Sequence, residues 1–217
     1  MPPSASGAYR PTSEWIHPFA GILGAPPPSL TRRGDDETRQ EQLTNQPTIP
    51  GDHVSTNRSE QLPQLPADAR VLLVGSSGGH LAQLWALAPL WSQRQRHWVT
   101  FDTADAVSLL RDEAVTWAFH PTTRNAVNLA RNSLQARQVM RQVAPDVVIS
   151  SGAAVAYPYF LLARRLGVPT LYLEVYDRVE SSTMTGRLCR PHASVFAVQW
   201  PEQEQLYDGA VVVGAVL

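Results

Sequence analysis

The pattern of apolar and polar positions changes abruptly near residue 70. Before it, residues 1–68 run through Pro, Ser, Thr, Gln and charged side chains, with Pro26-Pro27-Pro28 near the middle. Such a segment buries too little apolar surface to offset its chain entropy, and a disordered tail is expected. After it, short Val/Leu/Ile runs alternate with stretches of helical period. Strands are expected over Val71–Val74, His97–Phe101, Val115–Phe119, Val147–Ser150, Thr170–Glu174, Ser194–Val198 and Ala210–Val213. Helices are expected over Leu81–Trp91, near Ala104–Arg111, from Asn125 through Gln142, over Tyr159–Leu166 and over Thr185–Arg190. Strand–helix alternation predicts an α/β domain over residues 69–217, with a doubly wound, mostly parallel, Rossmann-like sheet.

In such sheets ligands bind beyond the carboxyl ends of the strands. Those ends carry Gly75–His80, Phe101-Asp102, His120–Arg124, Ser151-Gly152 and Glu174–Arg178. The first is the most informative. A strand, a tight glycine turn and a helix aim backbone N–H groups and the positive helix end at one point, which is how proteins hold phosphate. Ser76, Ser77, Gly78 and Gly79 are the candidate contacts, and His80 adds a group that moves protons near neutral pH. The order Gly-x-x-Gly-Gly-His is not the Gly-x-Gly-x-x-Gly of a dinucleotide site, and no Lys is present for a P-loop. Asp102 therefore reads as a strand-end turn residue rather than a ribose ligand. Arg124, just past the third strand, is a candidate anion contact. Glu174 closes an apolar strand and needs solvent, a partner or a ligand, because an unpaired buried carboxylate is costly. Arg178 is a candidate ion-pair partner for it. Alternatively, Glu174 receives substrate hydroxyls or acts as a base.

Bulk composition narrows the classes. The chain has 217 residues, 43% apolar, with a formal net charge of -1, enough for one α/β core plus extra sequence. That balance speaks against a nucleic-acid binder, which shows a basic face. The single cysteine, Cys189, excludes an internal disulfide, offers no metal cluster and fits a reducing compartment. The start lacks the basic and apolar regions of a secretory signal, and no window reaches the roughly 18–20 apolar residues of a membrane span. Membrane work would then mean lying on the surface. The apolar first helix, with Trp85 and Trp91, is the expected contact for lipid headgroups or another subunit.

Five segments taken in order resemble one family. They are Gly75-Ser76-Ser77-Gly78-Gly79-His80-Leu81, Pro145–Ala153, Tyr172-Leu173-Glu174-Val175-Tyr176-Asp177-Arg178, Ser182–Leu188 and Phe196–Pro201. The family is the acceptor-side subunit of the two-part N-acetylglucosaminyltransferase that makes dolichol-linked chitobiose, with bacterial relatives serving exopolysaccharide and capsule assembly. The more distant peptidoglycan lipid-intermediate transferase has a similar glycine-glycine-histidine turn. It also has a glutamate before a glycine-containing helix, where this chain has Glu174 and Thr185-Gly186.

The resemblance implies the amino-terminal half of a GT-B glycosyltransferase, whose donor-binding half is a separate subunit that shares the UDP-sugar. The implied reaction moves a sugar, N-acetylglucosamine by analogy, onto a polyprenyl-diphosphate-linked acceptor. His80, ahead of Glu174, is the implied base, with Ser76, Ser77, Gly78, Gly79, Arg124, Gly152, Arg178, Thr185 and Gly186 lining the acceptor side. Gly152 would let an acceptor group approach the fourth strand closely. No metal or other cofactor is implied. The implied location is cytoplasmic, peripheral at the inner face of the cell membrane. The polar, proline-rich start departs from the apolar anchoring helix of many members. Two other readings stand beside this one: a non-catalytic scaffold or activator that recruits a transferase to the membrane, and a free-standing nucleotide-binding domain.

Overall fold

A computed structural model describes residues 66–122 and 125–216. The tail expected over residues 1–68 lies outside the described residues except for its last three, and so does Arg124.

Strand β1 (Arg70–Val74) is followed by helices α1 (Gly79–Ala86) and α2 (Ala88–Trp91), then β2 (Gln95–Thr100), α3 (Ala104–Leu109) and β3 (Val115–Trp117). Helix α4 (Ala126–Val143) leads to β4 (Val147–Ser150), α5 (Ala156–Leu166) and β5 (Thr170–Leu173). Helix α6 (Met184–Cys189), β6 (Val195–Val198), α7 (Pro201–Glu204) and β7 (Val211–Val212) complete the described part. The strands form one sheet in the order β3-β2-β1-β4-β5-β6-β7, and every neighbouring pair is parallel. The doubly wound parallel sheet expected from the sequence is present. Its order reverses between β1 and β4, and the crevice at such a reversal is where these folds place ligands.

Both faces of the sheet are covered, so the inner strands read as unbroken apolar runs. Val71 and Leu73 of β1 face one layer with Leu81, Leu84, Leu87, Trp91 and Leu110. Leu72 and Val74 face the other, with Val139, Met140, Tyr159 and Phe160 from α4 and α5. Fully burying each such side chain contributes about 1.5–3 kcal/mol.

Several element boundaries differ from expectation. The single helix over Leu81–Trp91 is two helices that meet at Leu87, because Pro89 has no N–H and its ring clashes with the carbonyl one turn back. Its tryptophans are not a lipid-facing pair. Trp91 is 3% exposed, and its indole N–H donates to the Leu84 carbonyl at 2.9 Å. Trp85, Trp91 and Trp98 pack together with ring centres 5.2–5.8 Å apart. Val127 and Leu134 are 62% and 65% exposed, while Asn128 and Asn132 turn inward with Ala136, Val139 and Met140. Helix α5 starts at Ala156 and accommodates Pro158 in its first turn, where no intrahelical donor is needed. Strand β5 stops at Leu173, leaving Glu174 just past its carboxyl end. Helix α7 was not foreseen. It starts at Pro201, a residue suited to a first helical position. Among the described residues no helix is long and apolar enough to cross a membrane.

Candidate active site

The turn after β1 is open where a ligand needs it open and closed where it supports the fold. A side chain at Gly75 would sit 2.9 Å from Leu84 Cδ1, so that glycine lets α1 pack under the turn. Gly78, at φ 69°, and Gly79 are exposed with nothing within 4 Å of a would-be Cβ. Gly78 is the N-cap of α1 and has no side chain with which to cap it. The first amides of a helix have no intrahelical acceptor. Here the Gly78 N–H donates to Asp105 Oδ2 of α3 at 3.1 Å, so an exposed carboxylate already lies against this turn. Ser76 and Ser77 are half-buried, and the Ser76 hydroxyl turns to the Ser77 carbonyl at 3.4 Å.

His80 is clamped to the end of β4 by two reciprocal hydrogen bonds. Its Nδ1 lies 2.8 Å from the Ser151 carbonyl, and the Ser151 hydroxyl donates to the His80 carbonyl at 2.8 Å. A carbonyl only accepts, so the ring proton sits on Nδ1 and the neutral imidazole presents its lone pair on Nε2. Burial lowers the pKa of His80 from its ordinary 6.5, opposed by the Ser151 hydrogen bond and the Asp177 charge. The ring is therefore held neutral near pH 7, in one tautomer, with its basic nitrogen free of any partner among the described residues.

Gly152 serves this clamp. At φ 121° it carries a conformation that side chains rarely adopt, and its N–H donates to Ser150 Oγ at 3.0 Å. A Cβ there would come within 2.9 Å of both His80 Cε1 and the Tyr172 hydroxyl. The close approach foreseen at Gly152 is thus made by the chain's own His80 and Tyr172.

Glu174 occupies a different environment. It is 0% exposed, and its carboxylate accepts from the Val175 N–H at 3.0 Å, from Thr183 Oγ1 at 3.0 and 3.2 Å, and from the Tyr207 hydroxyl. Burial raises its pKa, and these hydrogen bonds, Tyr207 first, pull it back. Thr183 also caps α6 by accepting the Gly186 N–H at 2.9 Å. Any side chain at Gly186 would collide with Glu174 Oε2 and the Tyr207 hydroxyl. The Gln199 side chain completes the knot by donating to the Glu174 carbonyl at 2.9 Å.

The ion pair considered between Glu174 and Arg178 is absent. Arg178 is exposed, and its backbone carbonyl is tied to Gln203 at 3.1 Å. Thr185 is half-buried beside Gly186 on α6. The loop between β5 and α6 also carries Asp177, whose charge opposes the lowering at His80 and adds to the raising at Glu174. Among the described residues no group of three or more His, Cys, Asp or Glu is placed to hold a metal ion.

Sequence reasoning missed Ser151, Thr183, Tyr207 and Asp105 as participants. Thr183, three residues before Gly186, carried a capping signal; Tyr207, 33 residues from Glu174, carried none.

No protein-family model matches the chain. The chain is similar to UDP-N-acetylglucosamine transferase subunit ALG14 of Homo sapiens, at 25% identity over 178 residues, covering 68% of this chain and 82% of that protein. It is also similar to the UDP-N-acetylglucosamine--N-acetylmuramyl-(pentapeptide) pyrophosphoryl-undecaprenol N-acetylglucosamine transferase of Acidovorax sp. (strain JS42). There the identity is 35% over 127 residues, covering 51% of this chain and 31% of that enzyme. Among solved structures, MurG of Acinetobacter baumannii superposes with a TM-score of 0.54 at 22% identity, over 67% of this chain and 44% of that one. The chain thus spans less than half of either bacterial protein. The resemblance read from the five segments is borne out in its relatives, and the fold matches the amino-terminal half of a GT-B architecture.

Proposed function

We propose that this chain is the acceptor-side half of a glycosyltransferase that moves N-acetylglucosamine from its UDP donor to a polyprenyl-diphosphate-linked acceptor. A separate donor-binding subunit completes the crevice. One observation carries the chemistry: His80, clamped through Nδ1 to Ser151, presents a neutral Nε2 beside a turn whose Gly78 and Gly79 are exposed. In this reading Nε2 takes the proton of the acceptor hydroxyl as that oxygen attacks the sugar carbon bearing UDP. In this reading Ser76, Ser77, Gly78 and Gly79 lie around the acceptor diphosphate, with Arg178 and Thr185 at the rim and the buried Gly152 and Gly186 supporting His80 and Glu174 from beneath. Glu174 acts at one remove, because its oxygens are filled by Val175, Thr183 and Tyr207. It is a positioning residue that fixes the loop carrying Asp177 and Arg178. The names of the relatives, a UDP-N-acetylglucosamine transferase subunit and an N-acetylglucosamine transferase, support this reaction class.

The surface that meets lipid is, in this reading, α4 rather than the first helix. Its outward face carries Val127 and Leu134 together with Arg131, Arg137 and Arg141, and its sequence holds no acidic residue. Apolar side chains among arginines suit an anionic bilayer surface. The location that follows is peripheral, on the cytoplasmic face.

The test is reconstitution of the full chain with a candidate donor-binding subunit, UDP-N-acetylglucosamine and a short-chain lipid-diphosphate acceptor. Turnover should require both proteins. His80→Ala should abolish turnover without weakening the complex. Full turnover by His80→Ala would instead favour the scaffold reading, and full turnover by the chain alone would overturn the two-part arrangement.

A further inference from the structure

Strand β3 stands at one end of the sheet order and pairs only with β2. The Ala114 carbonyl accepts the Trp98 N–H, and the Ala118 N–H donates to the Thr100 carbonyl, so these residues bond inward. Backbone groups alternate along a strand, which turns those of Val115 and Trp117 outward. The Trp117 carbonyl is met by Gln135 Nε2 at 2.9 Å. The N–H groups of Val115 and Trp117 and the Val115 carbonyl have no partner among the described residues. Folded proteins cover or blunt such edges.

An apolar groove of about 590 Å³ runs beside this edge. Val107, Ser108 and Arg111, from α3 and the turn after it, wall one side, and Val115 and Trp117 wall the other. Val107 is 48% and Trp117 37% exposed. The charges of the groove are unequal. Glu113 is held by Arg96 at 2.6 and 2.7 Å and by the Trp98 indole at 3.2 Å. Arg111 is exposed and enters no ion pair among the described residues.

The chain before residue 66 holds a segment of matching character. Trp15-Ile16-His17-Pro18-Phe19-Ala20-Gly21-Ile22-Leu23 is the densest apolar run within residues 1–65, and Glu14 precedes it. In an extended backbone Trp15, Phe19 and Leu23 share one face. When those residues bond β3, Pro18, which has no N–H to give, turns to the solvent side, where a strand tolerates it. Residues 24–65 join the segment to the domain. A flexible chain of that length spans roughly 35 Å, against about 10 Å between β1 and β3. A second copy fits less well, because two-fold pairing of β3 edges sets groove against groove and fills neither.

We propose that Trp15–Leu23 of this chain lies extended along β3 as an added edge strand, with Trp15 and Phe19 seated in the groove and Glu14 beside Arg111. So placed, it closes the sheet edge and braces α3, whose Asp105 holds the Gly78 N–H of the turn.

Amide hydrogen exchange of the full chain, resolved by NMR, is the test. The Val115 and Trp117 amides should be protected although neither bonds β2. Replacing Trp15→Ala and Phe19→Ala together should raise both exchange rates about tenfold and leave the core amides of Leu72 and Val148 unchanged. These two changes touch no residue of the domain itself. Val107→Asp, on the groove side, should have the same effect with the segment intact. Protection should be independent of protein concentration. Fast exchange at Val115 and Trp117 in the unmodified chain, or protection that survives the paired tail substitution, overturns the docking. Protection that falls on dilution assigns the edge to a second copy and overturns it equally.

Discussion

Two clusters at the carboxyl ends of the strands are built on opposite rules. Around Glu174 every polar group is satisfied from within: Val175, Thr183 and Tyr207 fill the carboxylate, and Gly186 leaves no room beside it. Around His80 the fold fixes the ring through Nδ1 and commits the Gly78 N–H to Asp105, yet leaves Nε2 without a partner among the described residues and Gly79 exposed. A polar residue at a strand end is thus not by itself a reacting group. What separates the two is whether hydrogen-bonding capacity remains after the fold has been satisfied.

Substitutions at the two clusters should therefore separate. The largest effect is expected at His80. His80→Ala should lower kcat by about 10²–10⁴ with the denaturation midpoint little changed, measured on the reconstituted pair. Because burial lowers the His80 pKa, kcat should stay flat through neutrality and fall only as pH drops below 6.5, where the ring gains a proton. Stability follows the same sign. The unfolded chain protonates this histidine first, so acidification through that range favours unfolding. A kcat that rises on acidification would break the assignment.

Next come the packing effects at the knot. Gly186→Ala should cost about 3 kcal/mol of stability, because the hydrogen-bonded side chains of Glu174, Tyr207 and Thr183 must all move. Tyr207→Phe should cost about 2 kcal/mol by removing one donor from a buried carboxylate. Urea denaturation measures both. A kcat loss in Glu174→Gln as large as that of His80→Ala, with stability intact, would erase the contrast. The smallest effect is on the surface. Arg131→Ala, Arg137→Ala and Arg141→Ala should each weaken binding to anionic vesicles by about 1 kcal/mol, an effect that fades at high salt.

The sheet was legible because its strands are buried on both faces. Val71–Val74 and Val147–Ser150 are apolar at nearly every position, and no other element class fits such short runs between glycine or proline breaks. The glycine turn was legible for a local reason, since three glycines and a histidine at one strand end fix both the backbone and the chemistry. The partners were not. Ser151 reaches His80 across 71 residues and Tyr207 reaches Glu174 across 33, and no spacing rule encodes such distances. The inner face of α4 was hidden for a different reason. Val127 and Leu134 repeat at helical period but mark the outer face, because the inner face is partly built of Asn128 and Asn132. Periodicity finds a stripe without saying which side of it faces the sheet. The tryptophans of the first helix were misjudged in the reverse sense, since their bulk fills the layer under the turn.

That layer has an optical consequence. One side of the sheet holds three indoles in mutual contact, while the other is built on phenyl and phenol rings, with Tyr172 stacked 4.8 Å from Phe196 and Phe196 4.4 Å from Tyr207. Coupled indoles give a circular-dichroism couplet that vanishes when they separate, and the tyrosines absorb at shorter wavelength. Each half of the core therefore carries its own spectroscopic label. Coincidence of the two signals during unfolding would report whether the molecule melts as one cooperative unit.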